Sequence, residues 1–160
     1  VLPEVVSVME ICRDEDIIFA TGHSSPDEAV ALVKKAKEVG VRKCVVTHCT
    51  QTHWHITLDQ AKVCLENGAY LEHSILPYYN GVHCLIPTHQ KAQQTPLEEF
   101  VRYIRLDPSH QFISSDLGMS KMPNPVDGMR DCLHGLRQAG LTDKDLNLTT
   151  RRVPALLLGI

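Results

Sequence analysis

One stretch decides the fold class: ATGHSSPDEAVALVKKAKEVGVRKCVV, residues 20–46. It starts at the end of one short apolar run and finishes in another, with an amphipathic helix predicted between them. Ser25 is a capping residue, Pro26 suits the first helical position and Glu28 completes a capping box. Gly40 supplies a stop, since glycine readily ends a helix in the left-handed conformation. The stretch therefore predicts strand, helix and strand in succession.

The same alternation recurs along the chain. Capping boxes at Thr57 and Thr95 predict two further helix starts, a long helix is predicted over 126–139, and a short helix is predicted after Thr142. The predicted strands are short apolar runs at 17–21, 43–47, 70–74 and 111–115. Few polar residues alternate within them, which is typical of parallel strands covered on both faces. The fold class is therefore α/β, with about four parallel strands alternating with helices.

Composition limits the classes of protein. The 160 residues, 43% of them hydrophobic, suffice for one domain but fall short of the roughly 250 residues of a complete eight-stranded α/β barrel. A net charge of −3 without a basic run argues against nucleic acid or a membrane as partner. No run resembles a membrane span or a signal peptide, so we expect a cytoplasmic protein.

Six cysteines are present, and no two of them form a C-x-x-C pair. Cys44 lies inside an apolar run that is predicted to form a strand. This pattern favours buried free thiols in a reducing compartment over a disulfide framework.

Polar residues follow each predicted strand. These strand-end residues are His23, His48, Glu72, His73 and Asp116. In parallel α/β folds, ligands bind at the carboxyl ends of the strands, because side chains from several strands converge there. Four polar strand ends out of four favour a common site over four unrelated surface residues.

Two neutral histidines and a carboxylate are suitable ligands for Zn²⁺. Such an ion lowers the pKa of a bound water, and Asp116 could both coordinate the ion and accept the proton. As an alternative, Asp116 caps a turn before Leu117 and Gly118. His53 and His55, in the loop after His48, are further candidate ligands, although loop histidines are usually solvated.

The order and spacing of ATGH, Thr47-His48, Glu72-His73, SSDLG at 114–118 and PALLLG at 154–159 resemble the amidohydrolase superfamily. More narrowly, they are similar to a poorly characterised amidohydrolase-like branch of metal-dependent hydrolases. The resemblance covers nearly the whole chain. Each motif alone is weak, whereas their combination is fairly specific.

The resemblance implies that residues 1–160 form the C-terminal half of a distorted (β/α)8 TIM-type barrel whose N-terminal half is absent. His23 and His48 would be metal ligands, and Asp116 would be both a ligand and the catalytic base. Glu72 and His73 would be substrate-facing or would support the ligands, and strand alternation lets only one of them point inward.

The sequence also departs from the family pattern. The His-x-His of the first barrel strand and the bridging Lys or Glu of the fourth have no counterpart, so part of the usual metal shell is missing. Val153 replaces an asparagine of the pattern, at a position that we expect to matter for packing.

The predicted function is a metal-dependent hydrolase, most simply a zinc enzyme, that acts on an amide, another C–N bond or an ester of a small molecule. The alternatives are a phosphoester hydrolase on the same fold and an incomplete homologue that binds metal or a partner without turnover. A second copy of the chain or the missing half is the expected protein partner. Two loops, 75–94 with Tyr78 and Tyr79 and the segment 118–125, are candidates to flank a substrate.

Overall fold

The structure, a computed structural model, describes residues 1–51 and 54–160. Strands and helices alternate along it. The strands are β1 (Phe19–Ala20), β2 (Cys44–Val46), β3 (Tyr70–Ser74) and β4 (Gln111–Ser114). The helices are α1 (Pro3–Asp14), α2 (Pro26–Val39), α3 (Leu58–Glu66), α4 (Pro87–Gln90), α5 (Leu97–Ile104), α6 (Pro125–Gln138), α7 (Asp143–Asn147) and α8 (Val153–Leu158). Leu76–Tyr79 and Pro108–His110 form 3₁₀ turns, and Leu148–Arg152 forms a π-helical turn.

The four strands form one parallel sheet in the order β1-β2-β3-β4. Ala20 pairs with Val45, Val45 with Tyr70, and Glu72 with Phe112. Each strand lies within its predicted range, so the α/β class and the parallel sheet are confirmed. Sequential order brings all four carboxyl ends to one edge of the sheet, next to each other.

Strand alternation gives the sheet two different faces. Phe19, Cys44 and Leu71 point into a core that includes Val33 of α2 and Ala61 of α3. Helices α5 and α6 pack further along, where Phe100 and Leu136 share a second core cluster with Ile113. Burial of this apolar face is the main stabilising term that the sequence pattern supplies.

The opposite face is covered by the C-terminal helices. Val153 and Leu157 of α8 are buried against Val45, with Tyr70 and Phe112 beside them. Val153 therefore packs, as expected for this position. Because these contacts lie toward the amino ends of β2 to β4, the carboxyl ends on the same face stay open.

Local capping signals were reliable at two helices and wrong at one. Ser25 and Thr57 form complete capping boxes with Glu28 and Gln60. The capping box predicted at Thr95 is wrong, because Pro96 occupies the N-cap of α5 without a side-chain bond. The Thr95 hydroxyl instead donates to the carbonyl oxygen of Thr50 at 3.1 Å, which ties α5 to the loop after β2.

All six cysteines are free and buried, as predicted. Burial raises the pKa of the Cys44 and Cys132 thiols to about 12, so both stay protonated at neutral pH. Among the described residues, no helix is long and apolar enough to cross a bilayer.

Candidate functional site at the carboxyl edge of the sheet

Five side chains form what we call the strand-end cluster: His23, His48, Glu72, Ser114 and Asp116. His48 is at its centre, with its ring between two carboxylates. Nδ1 lies 3.5 Å from Oε2 of Glu72, and Nε2 lies 3.9 Å from Oδ2 of Asp116. The His48 and Glu72 side chains are mostly buried, whereas 40% of the Asp116 side chain is exposed. The cluster therefore has a fixed inner part and an open outer part.

Both oxygens of Glu72 are held by neighbouring strands. The hydroxyl of Ser114 donates to Oε1 at 2.8 Å, and the backbone N–H of His48 donates to Oε2 at 3.2 Å. These bonds fix the carboxylate beside Nδ1 of His48, which is buried and has no hydrogen-bond partner among the described residues. The carboxylates of Glu72 and Asp116 therefore face opposite nitrogens of the His48 ring.

Two residues of the cluster have unusual backbone conformations. His48 has φ +53° and Asp116 has φ +50°, in the left-handed region that non-glycine residues rarely adopt. Only Asp16 and Lys121 share this feature among the described non-glycine residues. Each such conformation costs on the order of 1 kcal/mol, and such residues concentrate at functional sites.

Two threonines hold the ends of β1 and β2 together. The backbone N–H of Thr47 donates to the hydroxyl of Thr21 at 3.1 Å, and the hydroxyl of Thr47 accepts from the backbone N–H of Gly22 at the same distance. Gly22 has φ +62°, which suits glycine. These bonds replace a regular ladder at the point where the chain turns into His23.

The ring of His23 contacts two other rings, whose centroids lie 6.2 Å from each other. It stacks on the indole of Trp54 with centroids 4.1 Å apart, and its centroid lies 5.2 Å from that of His48. Nε1–H of Trp54 donates to the carbonyl oxygen of His23 at 3.1 Å. Trp54 therefore packs on one face of His23, which stays exposed to solvent within the cluster.

His73 faces the other way. Its side chain is fully buried, with Nε2 2.7 Å from Oε1 of Gln111 and Nδ1 3.4 Å from both Sγ of Cys49 and Oγ1 of Thr50. Burial lowers the pKa of His73 to about 4, so the imidazole is neutral at pH 7. The structure thus places Glu72 on the open face and His73 in the core.

Gln111 explains why a histidine fits in that core. Its amide nitrogen donates to the backbone carbonyl oxygens of Tyr103 and Asp107, at 2.8 and 3.1 Å. The amide oxygen is then directed at His73, so the histidine joins β3 to the end of α5 through a satisfied polar network.

The remaining histidine candidates lie elsewhere. His53 is outside the described residues. Nε2 of His55 lies 3.0 Å from the hydroxyl of Tyr103 and 3.3 Å from Oε1 of Glu99, so it contacts α5 and not His48. The described hydrogen bonds include none to the Asp116 carboxylate from the turn that follows it, where the Leu117 N–H donates to Oγ of Ser115 at 3.4 Å.

Within residues 1–51 and 54–160, no three His, Cys, Asp or Glu side chains already form a group spaced to hold a metal ion. Two ligands at about 2.1 Å from a tetrahedral ion lie about 3.4 Å apart. Nε2 of His48 and Oδ2 of Asp116, at 3.9 Å, are close to that spacing. The donor chemistry fits zinc, and an ion held by three residues requires His23 and Asp116 to approach His48.

Sequence reasoning missed Ser114 and Trp54 as members of this region. Ser114 has a detectable signal, because it pairs in register with Ser74 and so shares the open face with Glu72 two positions earlier on β3. Trp54 lies in an irregular loop, where no periodicity predicts the direction of a side chain.

Residues 1–72 match the model of a family of unknown function, DUF6282. This first part of the chain, with β1, β2 and most of β3, is what resembles that family. No curated protein and no solved structure matches the chain.

Proposed function

We propose that the protein is a metal-dependent hydrolase of the amidohydrolase type, acting on an amide, another C–N bond or an ester. The observation that carries the proposal is the position of His48. Its ring lies between the carboxylates of Glu72 and Asp116. The backbones of His48 and Asp116 both lie in the left-handed region. Strain at two strand-end residues that face each other is typical of a site selected for chemistry.

His23, His48 and Asp116 would hold the ion, and zinc is the ion that two imidazoles and a carboxylate suit best. When bound, a divalent ion makes a water acidic enough to act as a nucleophile near neutral pH. Glu72 does not bind the ion in this scheme. It would orient His48 by accepting a hydrogen bond from Nδ1 once the two groups, 3.5 Å apart, approach each other, as carboxylates commonly do for histidine ligands.

Asp116 is the group that can move a proton. Its Oδ2 is the more exposed end of the cluster and lies beside Nε2 of His48. A carboxylate there can accept the proton of an attacking water and pass it to the leaving amine or alkoxide. His73 has no part in this chemistry, because its ring is enclosed in the core.

We further propose that the four-stranded sheet is half of a (β/α)8 barrel. It is supported by the sequential order of four parallel strands and by a polar cluster at their carboxyl edge. Helix α8 covers part of the face that would line the interior of a barrel, so a second half would have to pack against the rest of that face.

The proposal is tested by turnover of the zinc-loaded chain on p-nitroanilides, p-nitrophenyl esters and bis(p-nitrophenyl) phosphate. Asp116→Asn should lower kcat at least about 100-fold on the amide or ester that is turned over, since it removes the base. Asp127→Asn is the matched control, because Asp127 is exposed on α6 and contacts only Arg130 in the described ion pairs.

Three results would contradict the proposal. They are no turnover by the zinc-loaded chain, turnover of the phosphodiester alone, and a kcat for Asp116→Asn equal to that of Asp127→Asn.

A further inference from the structure

Two loops enclose a cavity of about 590 Å³ beside the carboxyl edge of the sheet. One loop follows β3 and includes Tyr78 and Cys84, and the other follows β4 and includes Met122. Met122 lies six positions beyond Asp116 in the chain, so the loop that carries Met122 begins at the strand-end cluster. We call this cavity the loop pocket. Its volume is within the range of small-molecule sites, about 300–1,000 Å³.

Three neutral polar side chains that line the loop pocket have partners within the protein, whereas Lys121 and His83, which also line it, have none among the described bonds. The hydroxyl oxygen of Tyr79 lies 3.1 Å from Oδ2 of Asp131, and Nε2 of Gln94 donates to the carbonyl oxygen of Tyr78 at 2.6 Å. Oδ1 of Asn80 lies 2.8 Å from Nδ1 of His89. These groups therefore hold the walls in place, and their hydrogen-bonding capacity is largely used.

Apart from Lys121, His83 and Asp131, the lining that remains to contact a ligand is apolar. Val82 and Leu85 line the mouth and are 81% and 65% exposed, which is unusual for two large apolar side chains so close together. Deeper in, the Cys84 thiol lies 4.0 Å from Sδ of Met122. Soft sulfur groups and aliphatic side chains adapt to apolar groups of varied shape.

Next to the pocket, the loop after β4 is closely packed on α6. A Cβ at Gly128 would lie 2.4 Å from Cδ1 of Leu117 and 3.4 Å from Cβ of Pro123, so a side chain at this position would require Leu117 to move. The hydroxyl of Tyr79 donates to the carbonyl oxygen of the same Gly128 at 2.8 Å. Both loops therefore contact α6.

We infer that the loop pocket binds an uncharged aryl or alkyl arm of a small-molecule substrate. The assignment to a substrate rests on the proposed hydrolase function, whereas binding of the apolar group does not. The substrate class is accordingly an amide or ester with an apolar acyl or amine part, whose scissile bond extends from the pocket toward Asp116.

The test measures binding without turnover. The neutral fluorophore N-phenyl-1-naphthylamine is titrated into the full chain, and one saturable site with enhanced emission is expected. The double variant Val82→Asp/Leu85→Asp should weaken the Kd at least about tenfold, because two carboxylates at the mouth oppose entry of an uncharged apolar group. Both positions are highly exposed, so the fold tolerates the changes.

The matched control is Val8→Asp/Ile11→Asp on α1, where both side chains are also exposed but do not line the pocket. This control and His48→Ala should bind the fluorophore as the wild type does. Absence of binding, or an equal Kd in the pocket and control variants, overturns the inference. A pocket that binds in a chain without zinc-dependent turnover refutes the hydrolase proposal alone, so the two failures are distinguishable.

Discussion

Adjacent residues of β3 illustrate two uses of polar groups in this molecule. Glu72 faces the open edge, where it is held by Ser114 and the His48 backbone and supports a histidine with an unbonded Nδ1. His73 faces the core, where Gln111 satisfies its Nε2 and burial keeps it neutral. Glu72 and His73 are adjacent in the sequence. Strand alternation alone assigns one to the proposed chemistry and the other to stability.

The largest expected effect separates His73 from His48 by stability. His73→Ala removes a fully buried ring and leaves the amide oxygen of Gln111 unpaired, and we expect the free energy of unfolding to fall by about 4 kcal/mol. His48→Ala should lower it by less, about 2 kcal/mol, because the His48 ring keeps some exposure and no buried group depends on it for a hydrogen bond. Urea denaturation followed by far-UV circular dichroism measures both. Equal losses would contradict the different roles that we assign to His73 and His48.

The pH dependence of stability sharpens the same contrast. Because the pKa of His73 is lowered to about 4 in the folded state, the unfolded chain binds the extra proton first as pH falls. The free energy of unfolding is therefore unaffected by His73 protonation above about pH 6.5. It falls by about 3 kcal/mol as the pH approaches 4. His73→Phe cannot titrate and should lack this part of the pH slope. An unchanged slope between pH 6.5 and 4 would show that His73 is not the group responsible.

On the open face, Glu72 and Ser114 should affect metal affinity and not folding. Glu72→Gln removes the charge beside Nδ1 of His48, and we expect the Kd for zinc to rise about 10- to 100-fold. Ser114→Ala leaves the carboxylate but releases one oxygen, so its effect should be smaller. Isothermal titration calorimetry gives both values. A Kd unchanged by Glu72→Gln would remove Glu72 from the site.

The smallest expected effect concerns backbone strain. Asp116→Gly should be more stable than Asp116→Ala by about 1 kcal/mol, because glycine adopts φ +50° without steric cost. At neighbouring Ser115, where φ is not positive, glycine should be no better than alanine. Thermal unfolding of the four variants tests this. A glycine at 116 that is less stable than alanine would refute strain at this position.

How far the sequence predicts the molecule depends on how local each signal is. The strands and the capping boxes at Ser25 and Thr57 follow from short apolar runs and residues three positions apart, so they were predicted correctly. Thr95 has the same local pattern, yet its hydroxyl bonds the distant carbonyl of Thr50. A tertiary bond of this kind has no signature near Thr95.

The candidate site divides in the same way. The strand-end rule selected His48, Glu72 and Asp116, which the structure brings together, and also His73, which it does not. Only pairing in register settles which of Glu72 and His73 shares a face with Ser114. The stack of Trp54 on His23 depends on loop geometry, which short-range sequence patterns do not encode.

Zinc titration of the metal-free chain tests the central claim most directly. The chain has a single tryptophan, and Trp54 stacks on His23, so its fluorescence reports binding at the strand-end cluster. We predict one zinc per chain, accompanied by a change in this fluorescence, with both lost in His23→Ala/His48→Ala. Both should persist in the control His110→Ala/His134→Ala, whose histidines contact Asp107 and Gln138. Absence of bound zinc in the wild type, or zinc retained with equal affinity after the first pair of changes, would contradict the metal site.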